Sequence, residues 1–240
     1  LGRITMVKGI DISVYQQNVD FEKIKKSGIE FVIIRAGFGK VASQKDKLFE
    51  SHYSNAKKAG LKVGCYHYTY AKSVQEAEQE ANVFLEWIKG KQFEYPIYFD
   101  IEDASLQNLG KQTLTDIVLT WCGKVQSAGY YVGIYANPDW FTNRLDLERL
   151  KGFDKWLAHW VDVPKWDNSF GGLWQYGLTR VDGYNGDIDG DYSYRDYEKT
   201  IKSLGLNGFT KTTQPPDTKK TVSVTVTVDG KTYKGNVQEA

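Results

Sequence analysis

The residues of this chain best suited to chemistry close the run Tyr95-Pro-Ile-Tyr-Phe-Asp-Ile-Glu-Asp103. It starts as an apolar, aromatic-rich segment of the kind that forms a buried strand, and it ends in carboxylates. Side chains alternate across a strand, so Asp100 and Glu102 share a face while Ile101 points the other way. Two residues of strand span about 6.5 Å, which lets both acids act on one bond of a bound substrate. A charge at the end of a core strand costs stability unless something uses it, so the pair is the first candidate for catalysis. The alternative is a strand that runs out into a polar loop.

The segments that must position this pair can be read in order. Gly9–Ser13 is a short strand ending near a second carboxylate, Asp11. Asp20 caps a helix over Phe21–Ser27, and Gly28 stops it. Glu30–Gly37 and Lys62–Tyr70 are strands, separated by a helix over Asp46–Ala59 with Phe49, Tyr53 and Ala56 on one face. Ser73 and Glu76 form a capping box ahead of a helix carrying Ala77, Ala81, Phe84, Leu85 and Ile88. Tyr95–Glu102 is the fourth strand. Thr113–Ala128 is the most regular helix, with Leu114, Ile117, Val118, Trp121 and Val125 inward. Tyr130–Asn137 is the fifth strand, and Pro138 opens a helical stretch to about Leu150. The rhythm then changes. Lys155–Trp160, Gly172–Tyr176 and Ile188–Tyr192 read as strands with no helix of any length between them, and Asp196–Leu204 as a last helix.

Strand and helix repeated five times imply parallel strands with right-handed crossovers. Eight strands in all predict an α/β fold, an irregular (β/α)5β3 TIM-like barrel. Active sites in such barrels lie at the C-terminal ends of the strands. That rule selects Asp11, Asp100, Glu102 and Asp189 together, since closure makes the first and last strands neighbours.

Composition excludes several function classes. A formal charge of +1 argues against nucleic acid as the main partner. No apolar run reaches the length of a membrane span, and no secretory signal is visible. Cys65 and Cys122 lie far apart and read as buried free thiols. Met6 is the only methionine, so residues 1–7 read as an extension and Leu1–Thr5 as foreign to the native start.

Three patterns are decoys. Gly37-Phe-Gly39-Lys-Val-Ala42 matches a loose dinucleotide fingerprint, but no acid ends the next strand near Tyr70. Asp187, Asp189 and Asp191 fall at calcium-loop positions, yet Tyr192 stands where the turn needs glycine. His52, His67 and His159 lack ligand spacing, and His67 reads as a hydrogen-bonded core or rim residue. We therefore expect no metal and no cofactor.

In order, the runs KGIDIS, FVIIRAGFG, GLKVGCYHYTY, FDIED, GIYAN, WLAHW, GLWQYG and GDIDGDYSY resemble glycoside hydrolase family 25, the N-acetylmuramidases that include many phage and bacterial lysozymes. The resemblance covers about residues 8–205. It implies hydrolysis of the β-1,4 bond between N-acetylmuramic acid and N-acetylglucosamine in peptidoglycan. Carried over by motif, Glu102 looks like the general acid and base and Asp100 its partner, with Asp11 and Asp189 as supporting carboxylates. The family often has Asn two residues after the last Asp, where this chain has Asp191. The estimated carboxylate spacing lies near both the retaining and the inverting ranges. Of the aromatics near strand ends, Tyr66, Tyr68, Tyr135, Trp160 and Trp174 are candidate sugar contacts, with Arg35 beside them. Tyr98 and Tyr176 are also near strand ends, and about half of all these aromatics should be plain core. An endolysin-like protein without a secretory signal would be phage-encoded, released from the host cytoplasm and active on the wall outside. A chitinase-like or glucosaminidase-like barrel also uses Asp-x-Glu, but Tyr98 and Phe99 stand where such barrels carry further acids. A non-catalytic wall-binding barrel would not need the buried pair.

The barrel is expected over 8–208 and a polar, Pro-containing linker over 209–220. In the segment 221–240, Val222–Val228 alternates strictly, Asp229-Gly230 reads as a tight turn and Lys231–Val237 returns. A lone hairpin is marginal in water, so self-association through it, or attachment to a wall-binding element, is expected.

Overall fold

A computed structural model of the chain describes residues 6–166, 170–211, 221–228 and 231–238. Strand and helix alternate first: β1 (Val7–Ile12), α1 (Phe21–Lys26), β2 (Phe31–Phe38), α2 (Phe49–Lys58), β3 (Lys62–Tyr68), α3 (Val74–Ile88), β4 (Ile97–Asp100), α4 (Lys111–Ser127) and β5 (Val132–Ala136). Then β6 (Asp154–Ala158), β7 (Leu173–Thr179) and β8 (Ile188–Ser193) follow without a regular helix, and α5 (Tyr197–Leu204) comes last. The eight strands close into a barrel in chain order.

Local chemistry sets the helix starts. Asp20 caps α1 by accepting from the Lys23 amide, and Ser73 caps α3 by accepting from the Glu76 amide. The return half of the expected capping box is displaced by one residue, because Glu76 accepts from the Lys72 amide. Asp46 stands outside α2. Its buried carboxylate accepts from the Val14 and Leu48 amides and pairs with Arg35. The helical stretch opens at Pro138 as expected but ends at Arg144, with Trp140–Arg144 π-helical, instead of reaching Leu150. Asp146 then bonds the Glu148 amide, a turn that competes with helix, while its own N–H donates to Thr115.

Two corrections bear on the site. First, β4 ends at Asp100, so Glu102 does not share a strand face with it by alternation. One further backbone bond, Ile101 N–H to the Tyr135 carbonyl, holds the chain to β5 before Asp103 caps the next turn. Second, β1 to β7 are parallel neighbours, but β8 is antiparallel to both β7 and β1. Asp189 therefore sits near the start of its strand, not at its C-terminal end. The reversal of β8 still brings it to the rim where the other strands finish.

Alternation divides the apolar residues into two layers. Ile10, Ile12, Phe84, Phe99 and Trp121 pack between strands and helices, with Phe99 and Trp121 stacked at 4.7 Å. Phe31, Tyr98, Tyr135, Trp156 and Leu173 fill the lumen. Gly9 is required there, because a Cβ would lie 2.2 Å from the Phe31 ring. Cys65 and Cys122 are free and buried, as expected.

At the barrel's lower end Asn207 acts as a staple. Its Oδ1 accepts from the Tyr131 amide, and its Nδ2 donates to the Phe93 and Tyr95 carbonyls just ahead of β4. Phe209 packs against the lumen cluster, so the barrel continues past Gly208. Beyond it, β9 (Thr221–Val228) and β10 (Lys231–Gln238) pair antiparallel in a separate sheet. The Asp229-Gly230 turn, most of the linker and Leu1–Thr5 lie outside the described residues.

The outer layer contains one polar cluster that ties β3 to α3. Glu80, 1% exposed, lies 3.0 Å from His67 Nε2 and accepts from the Thr69 hydroxyl and the Tyr70 amide. Truncation would strand the buried His67 ring and Thr69 hydroxyl in a dry interior. Glu80→Ala should therefore cost about 3–5 kcal/mol in denaturant unfolding, whereas a loss below about 1 kcal/mol would mean that water replaces the carboxylate.

Candidate active site

The site begins with a register. Across the β1–β8 pair Asp11 stands opposite Asp189, and residues directly opposite on an antiparallel pair project to one face. Asp100 ends β4 on the far side of the lumen, next to Tyr68 of β3 in register. These three and Glu102 line one cavity of about 210 Å³ at the rim. The structure thus brings together the four carboxylates selected from sequence.

Their surroundings differ. Asp100 is buried and its Oδ1 has no hydrogen-bond partner among the described residues. Burial, then the charges of Glu102 and Asp11, push its carboxyl well above the usual range, against the pull of Arg35. Glu102 is raised by burial and by Asp189 and Asp103. Asp11 is raised by burial and Asp189, which a hydrogen bond from Gln175 opposes. Burial also raises Asp189. Asp103 is the exception. Despite some burial it is held below the usual range, because Ser105 and the Tyr68 hydroxyl donate to it. Four acids that resist ionisation in one cavity are suited to proton transfer.

Arg35 enters this cavity from β2, with Asp46 on its Nε and the Tyr15 ring 5.3 Å from its guanidinium carbon. Tyr66, Tyr68 and Tyr135 line the same space. Glu102, Asp189 and Tyr135 also border a neighbouring groove of about 520 Å³, where Trp160 stands 55% exposed. Trp174 is not brought to the site. It lines neither space, because Gln175 occupies the inward position of β7 and the adjacent Trp174 faces outward. There its ring packs with Tyr176 and Tyr192, on the wall that no helix separates from its neighbours, and its N–H donates to the His159 carbonyl. Tyr98 is lumen core.

The sequence reading missed Gln175. Its Oε1 accepts from the Tyr135 hydroxyl and from Trp160 Nε1, both at 3.0 Å, and its Nε2 donates to Asp11 Oδ2 at 2.8 Å. One buried amide thereby connects a rim tryptophan, a site tyrosine and a site carboxylate. The only signal available was its place between two aromatics of a strand, which put it on the inward face.

Comparison with known proteins agrees with this geometry. Residues 10–183 match the family model for Glycosyl hydrolases family 25. The autolytic lysozyme of Clostridium acetobutylicum is 30% identical over 186 residues, which are 77% of this chain and 55% of that protein. The chain thus spans little more than half of that relative's length. Among solved structures, the CTP1L endolysin aligns with a TM-score of 0.71 at 28% identity, over 82% of this chain and 70% of that one. A family GH25 lysozyme from Aspergillus fumigatus aligns at 0.67 and 27% identity, over 84% of this chain and 100% of the other. A barrel closed in this order, carboxylates at one rim and a family match over most of the chain lead to one assignment: the chain belongs to glycosyl hydrolase family 25.

Proposed function

We propose that the chain is a muramidase that cleaves the β-1,4 bond between N-acetylmuramic acid and N-acetylglucosamine of peptidoglycan and so acts on the bacterial cell wall. The observation that carries this reading is the position of Glu102 and Asp189 at the junction of the acid-lined cavity and the groove that holds Trp160. A glycan lying along the groove would present one glycosidic bond there. Glu102 is the proposed general acid, since burial raises its hold on a proton and the groove gives it access to the leaving oxygen. Asp100, raised by burial but pulled back toward its charged form by Arg35, and with an oxygen unpartnered among the described residues, is proposed to face the developing positive charge of the sugar. Asp11 and Asp189 support the pair. Tyr66, Tyr68, Tyr135, Trp160 and Arg35 are the proposed sugar contacts, the rings offering apolar faces to the pyranoses. Likeness to the CTP1L endolysin supports an endolysin-type role.

Digestion of purified peptidoglycan tests the reading directly. New reducing ends should be muramic acid; glucosamine ends would point to a glucosaminidase, and no new ends to a binding barrel. Glu102→Gln should fold normally yet lose about 10² to 10⁴ in turnover, with Asp100→Asn nearly as severe. A folded Gln variant that keeps more than a tenth of the rate would remove Glu102 from this role.

Gln175→Leu takes away the N–H on Asp11 and frees the Trp160 and Tyr135 side chains. The loss of a hydrogen bond to a charged group predicts a fall of about 10- to 100-fold in kcat/KM on soluble wall fragments. An unchanged value would show that Asp11 is held without it.

The hairpin is proposed as an accessory to the barrel that serves self-association or wall binding. A chain ending at Thr210, which keeps Phe209, should still cleave soluble fragments. Light scattering or sedimentation on intact walls should then show weaker assembly or weaker binding. Lost catalysis with assembly unchanged would make the hairpin part of the barrel.

A further inference from the structure

Asp191 on β8 is fully buried, and its two oxygens are treated differently. Oδ1 accepts the Trp156 indole N–H at 2.7 Å, while Oδ2 has no donor among the described residues. A buried carboxylate oxygen without a donor is costly. The side chain lies within hydrogen-bonding reach of Asp11, its diagonal neighbour across the β1–β8 pair. Asp11 already takes the Gln175 N–H on Oδ2. Ionised carboxylates only accept hydrogen bonds, so two bare anions here would repel and leave Asp191 Oδ2 unsatisfied.

We propose that Asp191 carries a proton on Oδ2 and donates it to Asp11, so that a neutral Asp191 acts as a positioning residue for Asp11. The catalytic consequence rests on the muramidase reading; the proton itself does not. One hydrogen resolves both problems, since it satisfies Asp191 Oδ2 and gives Asp11 a second donor. The assignment to Asp191 follows from position: each acid accepts one N–H, but Asp11 borders the cavity whereas Asp191 is 0% exposed and lines none of it.

The other groups around the pair do not offer a substitute. Asp189 beside it on β8 adds negative charge and favours the retained proton, while Asp100 and Glu102 lie across the cavity. Arg35 of β2 is engaged by Asp46. Tyr66 and Tyr135 have hydroxyls pushed up by burial, as does Tyr176 on the outer face of β7, so they stay neutral over the working pH range. The sign of the pH effect follows. Burial and then Asp11 push the Asp191 carboxyl well above its unfolded value of about 3.9. The fold binds this proton more tightly than the unfolded chain does. Its contribution to stability is complete below about pH 4 and is lost as pH rises through the pair's raised value.

Asp191→Asn tests this, because its carbonyl can still accept from Trp156 and its amide donates to Asp11 at every pH. Two readouts are needed on the full chain: the infrared carbonyl band of neutral carboxylic acids near neutral pH, and the thermal midpoint between about pH 4 and 9. The wild type should show a band component that the variant lacks, and its midpoint should begin to fall at least about one pH unit lower. The alkaline limb of kcat/KM should move up in the variant as well. Identical bands and identical pH dependence of the midpoint would overturn the proposal. If Asp191→Asn does not fold, the band decides in other backgrounds: no neutral-acid band at pH 7 in the wild type overturns the proton, and a component that persists in the Glu102→Gln, Asp100→Asn double variant supports it. Failure to cleave the muramic acid bond, with the band and midpoint differences intact, would remove the muramidase reading and leave the shared proton standing.

Discussion

The reversal of one strand is the constraint on which this site depends. Had β8 run parallel to its neighbours, position 189 would have lain at the opposite pole from Asp100. Antiparallel closure places Asp189 across from Asp11 and sets Asp191 one step deeper, in contact with Trp156. It also removes the need for a crossover helix between β7 and β8, since antiparallel strands can be joined by a short connection. The outer wall there is covered by Trp174, Tyr176 and Tyr192 instead.

The aromatic lumen supplies the second condition. Rings from β2, β4, β5 and β6 fill the barrel beneath the acids, with Tyr135 and Trp156 packed edge to face at 4.5 Å. Large apolar rings exclude water, and a carboxylate above them loses solvation on its inner side. The raised proton affinities of Asp11, Asp100 and Asp191 thus follow from the same packing that stabilises the barrel. Polar groups embedded in that layer, chiefly Gln175 and the Trp156 indole, orient the acids without neutralising them.

Most of the fold was legible because its signals are local. Asp20 and Ser73 mark helix starts through their own hydrogen bonds, and the inward face of α4 is written in the spacing of Leu114, Trp121 and Val125. Asp100 and Glu102 were legible as the close of an apolar run, and Asp11 and Asp189 as acids on the two strands that closure makes neighbours. What sequence could not supply was pairwise geometry between distant segments. The direction of β8 depends on which edges meet, and nothing near Asp189 encodes it. Trp174 and Trp160 look alike as aromatics near strand ends. Only the register of β7, fixed by pairing with β6 and β8, turns one outward and leaves the other at the groove. Gln175 carries no sign of its three partners, which come from β1, β5 and the segment after β6.

The Asn207 staple has a consequence for how such a barrel can be joined to other modules. It fastens the end of the chain to the segments that precede β4 and β5, at the pole opposite the acids. The described chain therefore leaves the barrel, at Lys211, on the side away from the carboxylate rim. Appendages of different size or purpose could be exchanged at that exit without crossing the acid-lined cavity, so the two poles of the barrel can vary independently.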